Sequence, residues 1–186
     1  MLKKFLWTNR VVQAIRQDVI EKYFVKHAGI ILLAPFLKTF FTNLNLLING
    51  NEWNDKNAQY KAVYMLWFLS TGQQHTFEYN LTIEKILCGI SIDEPLPVDI
   101  QLSAQDIDEA ESLLSSMIEH WKAIKNTSIN GLRETFLKRD GIIKKQESGW
   151  LLQVERKTLD VLIDSIPWGY TTVFLPWNNY FVSVEW

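Results

Sequence analysis

The sequence predicts an α+β fold, predominantly α, in which a helical core carries a small C-terminal antiparallel β-β-α-β-β element. Three observations predict it. Apolar residues recur at three- and four-residue steps over about residues 11–139, the period of helices packed by one face. After Gly141 the period falls to two, as in strands. Finally, 47% apolar residues and eight Trp in 186 residues can build a self-sufficient core, which excludes a disordered chain. The whole of 1–186 is read as one domain, helical over about 11–139 and β-rich over about 140–186.

The elements follow in order. From Val11 to Lys26, Val12, Ile15, Val19 and Tyr23 share one face while Arg16, Gln17, Glu21 and Lys22 fall elsewhere, which predicts an amphipathic helix. Gly29 to Leu47 is apolar nearly all round. Pro35 lacks a backbone donor, so this central helix should be kinked at the proline or begin near it. Asn49, Gly50, Asn51, Asn54 and Asp55 are turn residues, and the next helix runs from about Lys56 to Thr71, with Gly72 as a left-handed cap. A short helix over Thr82 to Cys88 stops at Gly89. Two prolines in Asp93-Glu94-Pro95-Leu96-Pro97 then forbid helix and make this extended connector the expected hinge.

Ser103 with Asp106 predicts a capping box that opens the most regular helix, with Ile107, Ala110, Leu114, Met117, Trp121 and Ile124 along one seam. The seam lasts under three heptads, so core packing is favoured over a coiled coil with a partner. Asn126 to Ser128 interrupts it, and Ile129 to Arg139 restarts helix. A hairpin is predicted around Ser148-Gly149, with Ile143, Trp150, Leu152 and Val154 on its apolar side. Lys157 to Ser165 reads as an amphipathic helix with Leu159, Leu162 and Ile166 inward. Thr171 to Leu175 and Phe181 to Glu185 read as the last strands.

Composition excludes several functions. A net charge of −2 offers no cationic excess for nucleic acid. Residues 1–7 resemble the start of a signal peptide, but Thr8, Asn9 and Arg10 cut the apolar run short, so export by that route is not expected. The longest apolar stretch, Ala28 to Leu37, falls far below the ~20 residues of a membrane span. One cysteine, Cys88, can form neither an internal disulfide nor a Cys-based zinc site, and its apolar surroundings predict burial rather than a nucleophile. His27, His75 and His120 lack metal-ligand spacing, and neither a nucleophile elbow nor a phosphate-cradling loop is present. No catalytic residue, metal or cofactor is assigned, and an enzyme is not expected. The Trp-rich tail could instead roof the core, anchor a partner, or stack on a sugar.

Taken together, the segments resemble the contractile injection system tape measure family, the proteins of bacterial phage-tail-like particles. The resemblance covers about residues 27–186 and is taken to be to the family's C-terminal region. It begins at His27-Ala28-Gly29-Ile30-Ile31-Leu32-Leu33 with Pro35-Phe36-Leu37, and continues through Lys61-Ala62-Val63 and Phe68-Leu69-Ser70-Thr71-Gly72. Lys85-Ile86-Leu87-Cys88-Gly89 before Asp93-Glu94-Pro95 carries it further, as do His120-Trp121, Gly131-Leu132-Arg133-Glu134, Pro167-Trp168 and Leu175-Pro176-Trp177. Two positions depart from the family pattern: His27 stands where Asn is expected, and Asn178 where Met is.

The resemblance implies a structural, non-enzymatic component, assembled in the bacterial cytoplasm and then carried in a particle that is extracellular or membrane-anchored. A ruler needs extended sequence, and 186 residues would reach only about 280 Å as one continuous helix at ~1.5 Å per residue. The expected role is therefore a docking or adaptor domain at an end of the inner tube, at the baseplate hub or the cap, contacting inner-tube, baseplate or cap proteins. Because such particles are rotationally symmetric, a homo-oligomer or symmetric ring is expected. Asn126, Arg133, Trp168 and Trp177 are the expected interface anchors. The alternative is a small-molecule or glycan-binding module that uses the Trp-rich tail.

Overall fold

The computed structural model describes residues 21–186. The helix expected over 11–26 lies outside them as far as residue 20. At its end Lys22–Val25 form strand β1 instead. Tyr23 and Val25 turn inward while Phe24 faces out, and antiparallel pairing with 141–144 supplies partners for the backbone, which outweighs the helical spacing. The strand draws the N-terminal region into the sheet, so the β structure is not confined to the tail.

Ala28–Leu33 follow as a 3₁₀ turn buried on every side, and α1 spans Ala34–Asn43 with Pro35 in its first turn. The helix thus begins at the proline rather than kinking there, because a missing N–H costs nothing in the first turn. It stops short of Leu47. Leu47–Ile48 (β2) and Glu52–Trp53 (β3) pair as a small hairpin whose turn places Asn49 and Gly50 at φ of 52° and 70°. Two-residue strands are too short to leave a period in the sequence.

Helix α2, Lys56–Thr71, has the predicted ends. Asp55 accepts from the Ala58 N–H at 2.7 Å, and Gly72 closes the helix at φ 73°. Helix α3 spans Thr82–Leu87. The connector expected to hinge is tied to both helices: Lys85 Nζ donates to the Ile92 and Glu94 carbonyls at 2.9 and 2.7 Å, and the Tyr64 hydroxyl donates to the Pro97 carbonyl at 2.7 Å.

Helix α4, Ala104–His120, opens with the predicted capping box. Ala110, Leu114, Met117, Trp121 and Ile124 are buried in the core, although the helix ends before the last two. Burial works against the charge of Asp106, but bonds from Lys61 Nζ (2.7 Å) and from the Ser103 N–H and hydroxyl outweigh it, holding this carboxyl below the ordinary value of 3.8. Since the folded pKa is the lower one, its stabilisation is complete above pH 3.8 and is lost as pH falls through the folded value. Asp106→Asn is expected to cost about 1–2 kcal/mol at pH 7 and to flatten the acid limb of a plot of Tm against pH. An unchanged acid limb would remove Asp106 from that role.

Ile129–Leu132 form α5, continued by one π-helical turn, Arg133–Leu137, that ends before Arg139. The sheet is assembled from β1, β4 (Gly141–Gln146), β5 (Gly149–Val154), β6 (Thr172–Phe174) and β7 (Phe181–Glu185) in the order β1-β4-β5-β7-β6. It is mixed rather than antiparallel, because β5 and β7 run parallel. The segment between the two pairs, Thr158–Ser165, is a 3₁₀ helix. Its threefold period turns Asp160 and Ile163 inward and leaves Leu159, expected to be buried, 52% exposed; Leu162 and Ile166 are half-buried. One sheet face, carrying Val25, Ile143, Leu152, Val182 and Val184, packs on the core that the helices share.

Candidate interaction surface

Helix ends leave backbone carbonyls without intrahelical partners, and buried ones need donors from elsewhere. Three of the four expected anchors meet that need. Arg133 is buried and donates through Nε to the Leu69 carbonyl (3.1 Å) and through Nη2 to that of Phe68 (3.4 Å), at the end of α2; burial lowers its pKa. Trp177 Nε1 donates to the Leu87 carbonyl at 2.9 Å, joined by Asn178 Nδ2 (3.1 Å) and by the Tyr180 hydroxyl on Ile86, so one loop caps α3 with three side chains. The phenol of Tyr180 is accordingly pushed far up, chiefly by burial. Trp168 Nε1 reaches the Leu32 carbonyl at 3.1 Å, with its ring edge-on to Phe36. Of the four, only Asn126 is exposed. The four are not brought together, and a prolyl-tryptophan pair carries no mark to distinguish an inward cap from an outward anchor.

The ionisable interior is equally committed to structure. His27 Nδ1 lies 3.4 Å from the wholly buried Glu84, with the ring edge-on to Trp67. Arg139 and Asp160 meet at 2.5 Å, both buried. Burial, with Glu84 nearby, holds the Cys88 thiol well above its usual range, so it is a poor nucleophile. Among the described residues no three His, Cys, Asp or Glu side chains are grouped to hold a metal ion, and no helix is long and apolar enough to cross a membrane. A cleft of about 360 Å³ lies between α3 and the sheet, walled by Tyr23, Trp150 and Tyr180, with Asp93, Glu21 and Lys145 at its mouth.

The outward aromatics are others. Phe24, Phe77, Tyr79, Phe174 and Phe181 are 78, 71, 75, 54 and 50% exposed. Phe77 and Tyr79 stack at 5.6 Å, and Phe174 lies 5.0 Å from Phe181. Sequence reasoning passed over all five. A local signal existed for two of them: Val173-Phe174 and Phe181-Val182 are apolar at successive positions, which a strand with one wet face does not require. Apolar patches of this kind mark protein interaction sites.

No curated protein and no solved structure matches the chain. A family described as contractile injection system tape measure protein matches residues 3–186, beginning 24 residues before the stretch that carried the resemblance. With essentially the whole sequence matched, the chain belongs to the contractile injection system tape measure protein family and is a tape-measure-related structural protein of such a particle.

Proposed function

We propose that this chain is a docking or adaptor domain at an end of the inner tube, at the baseplate hub or the cap, whose work is recognition rather than catalysis. The observation that carries the reading is the exposed aromatic set, Phe24, Phe77, Tyr79, Phe174 and Phe181, on a body whose Trp168, Trp177 and buried Arg133 hold its own helix ends. The longest described helix, α4, has 17 residues and spans about 25 Å, and its neighbours pack against it instead of extending it. That suits a body seated at a terminus better than a rod laid along a tube. Partners are inner-tube, baseplate or cap proteins, met in several copies around the particle axis. Asn126 and the solvent edges of Trp168 and Trp177 remain candidate contacts at the rim.

Mass spectrometry and microscopy of purified particles provide the test. The chain is expected among the particle proteins, with its density at one end of the tube; particles without it would sink the proposal. The cleft walled by Tyr23, Trp150 and Tyr180 supports the second reading, a glycan site, because aromatic faces beside carboxylates suit sugar hydroxyls and C–H faces. Titration with sugars is then expected to quench tryptophan emission, and a flat titration dismisses it.

A further inference from the structure

We infer that the outer face of the five-stranded sheet is a two-fold interface covered by a second copy of this chain. The register brings five apolar side chains into line there. Phe24 and Ile142 are cross-strand neighbours at one corner, Leu151 lies at the centre, and Phe181 and Phe174 are cross-strand neighbours at the opposite corner. No described element covers this diagonal, and Phe24, Phe174 and Phe181 are each at least half exposed. Tyr79, which lines a cleft with Phe24, prolongs it at one end.

The charges decide the occupant. Lys22 and Lys144 are paired neighbours on one side of the diagonal, whereas Glu185 stands on the other, held by Gln153 Nε2 at 2.6 Å. A two-fold axis laid along the diagonal through Leu151 carries the basic flank of one copy onto the acidic flank of the other, as an isologous contact requires. The same axis satisfies sheet packing. With strands about 4.8 Å apart and about 6.8 Å per two residues, the diagonal runs at about 45° to the strands. Strands of the two copies therefore cross at about 90°, one of the two stable sheet-on-sheet arrangements. The face projects roughly 400 Å² on these spacings, below the ~800 Å² per partner of a standard interface, so the dimer is reversible rather than obligate.

Sedimentation of the full chain tests this. Mass is expected to rise with concentration from 21.8 kDa towards twice that value, and a chain still monomeric at about 100 µM overturns the proposal and assigns the face to another occupant. Phe174→Ser with Phe181→Ser is expected to abolish association. Glu185→Lys or Lys144→Glu alone weakens it about ten-fold, and the two together restore it; a dimer indifferent to all of these uses another surface and overturns the proposal as well. Leu151→Cys, on the axis, is expected to be joined by a thiol crosslinker of about 10 Å, the separation of packed sheets, while the buried Cys88 is spared. The inference goes beyond the docking role proposed above, since a two-fold contact is not the head-to-tail contact of a ring, and the two fail separately: a monomer found in particles sinks only this one, and a dimer missing from particles sinks only the other.

Discussion

Gly29→Ala is expected to abolish folding, although it adds a single methyl group to a helical turn. Gly29 sits in the 3₁₀ turn Ala28–Leu33, where the backbone approaches the π-helical turn Arg133–Leu137. A Cβ there would overlap the Phe136 carbonyl oxygen and lie 2.7 Å from its carbon and 2.8 Å from the Leu137 Cα. All three are backbone atoms, so no side-chain end can swing aside. Relief requires the two turns to separate, and both are built into the core: Ile30, Ile31, Leu32 and Leu33 on one side, Phe136 and Leu137 on the other. Overpacking that a rotamer change relieves costs about 1–3 kcal/mol. This case should exceed about 4 kcal/mol, most of the ~5–15 kcal/mol that holds a domain together. The expected result is insoluble protein, or a denaturant midpoint far below the wild type. A variant within about 1 kcal/mol of wild type would mean that the two turns do not approach as described.

Why this glycine was not legible in the sequence, whereas Gly72 was, shows which parts of the fold a sequence can carry. Asp55 and Gly72 act on the helix they border, through a side-chain acceptor and a positive φ, so both ends of α2 could be placed from local chemistry. The capping box of Ser103 and Asp106 is local in the same way. Gly29 is demanded by a partner more than a hundred positions away, and nothing beside it records that demand. Strand β1 failed for a related reason. Tyr23 continues the helical spacing of Val19 and equally begins a strand alternation with Val25, and the choice is made by pairing with 141–144. Trp168, Trp177 and Arg133 were recognised as special, but the carbonyls of Leu32, Leu87 and Leu69 that they serve come into reach only on folding. The apolar diagonal is the extreme case. Its members come from residues 24, 142, 151, 174 and 181, and only the parallel pairing of β5 with β7 aligns them.

Asp160→Ala is the second large effect expected, because it strands a charge. Arg139 is 1% exposed and Asp160 4%. The guanidinium gives Nη2 to Asp160 Oδ1 at 2.5 Å and Nε to the Thr135 carbonyl at 2.6 Å, and lies over the Phe136 and Trp186 rings. The other carboxylate oxygen accepts from the Lys157 N–H at 2.7 Å and from Trp186 Nε1 at 2.9 Å. One side chain thus neutralises a buried cation, caps the 3₁₀ helix and fixes Trp186. Truncation removes all three and leaves the guanidinium unpaired in a medium that solvates it poorly, for a loss of about 3–5 kcal/mol. Denaturant unfolding should show that loss, with a red shift of tryptophan emission as Trp186 loses its partner. Asp160→Leu combined with Arg139→Met should recover much of it, because the pair's own attraction is largely cancelled by the cost of desolvating both charges. If the double variant is instead as unstable as the sum of its parts, the cap on Lys157 and the bond to Trp186, not the ion pair, are what the site contributes.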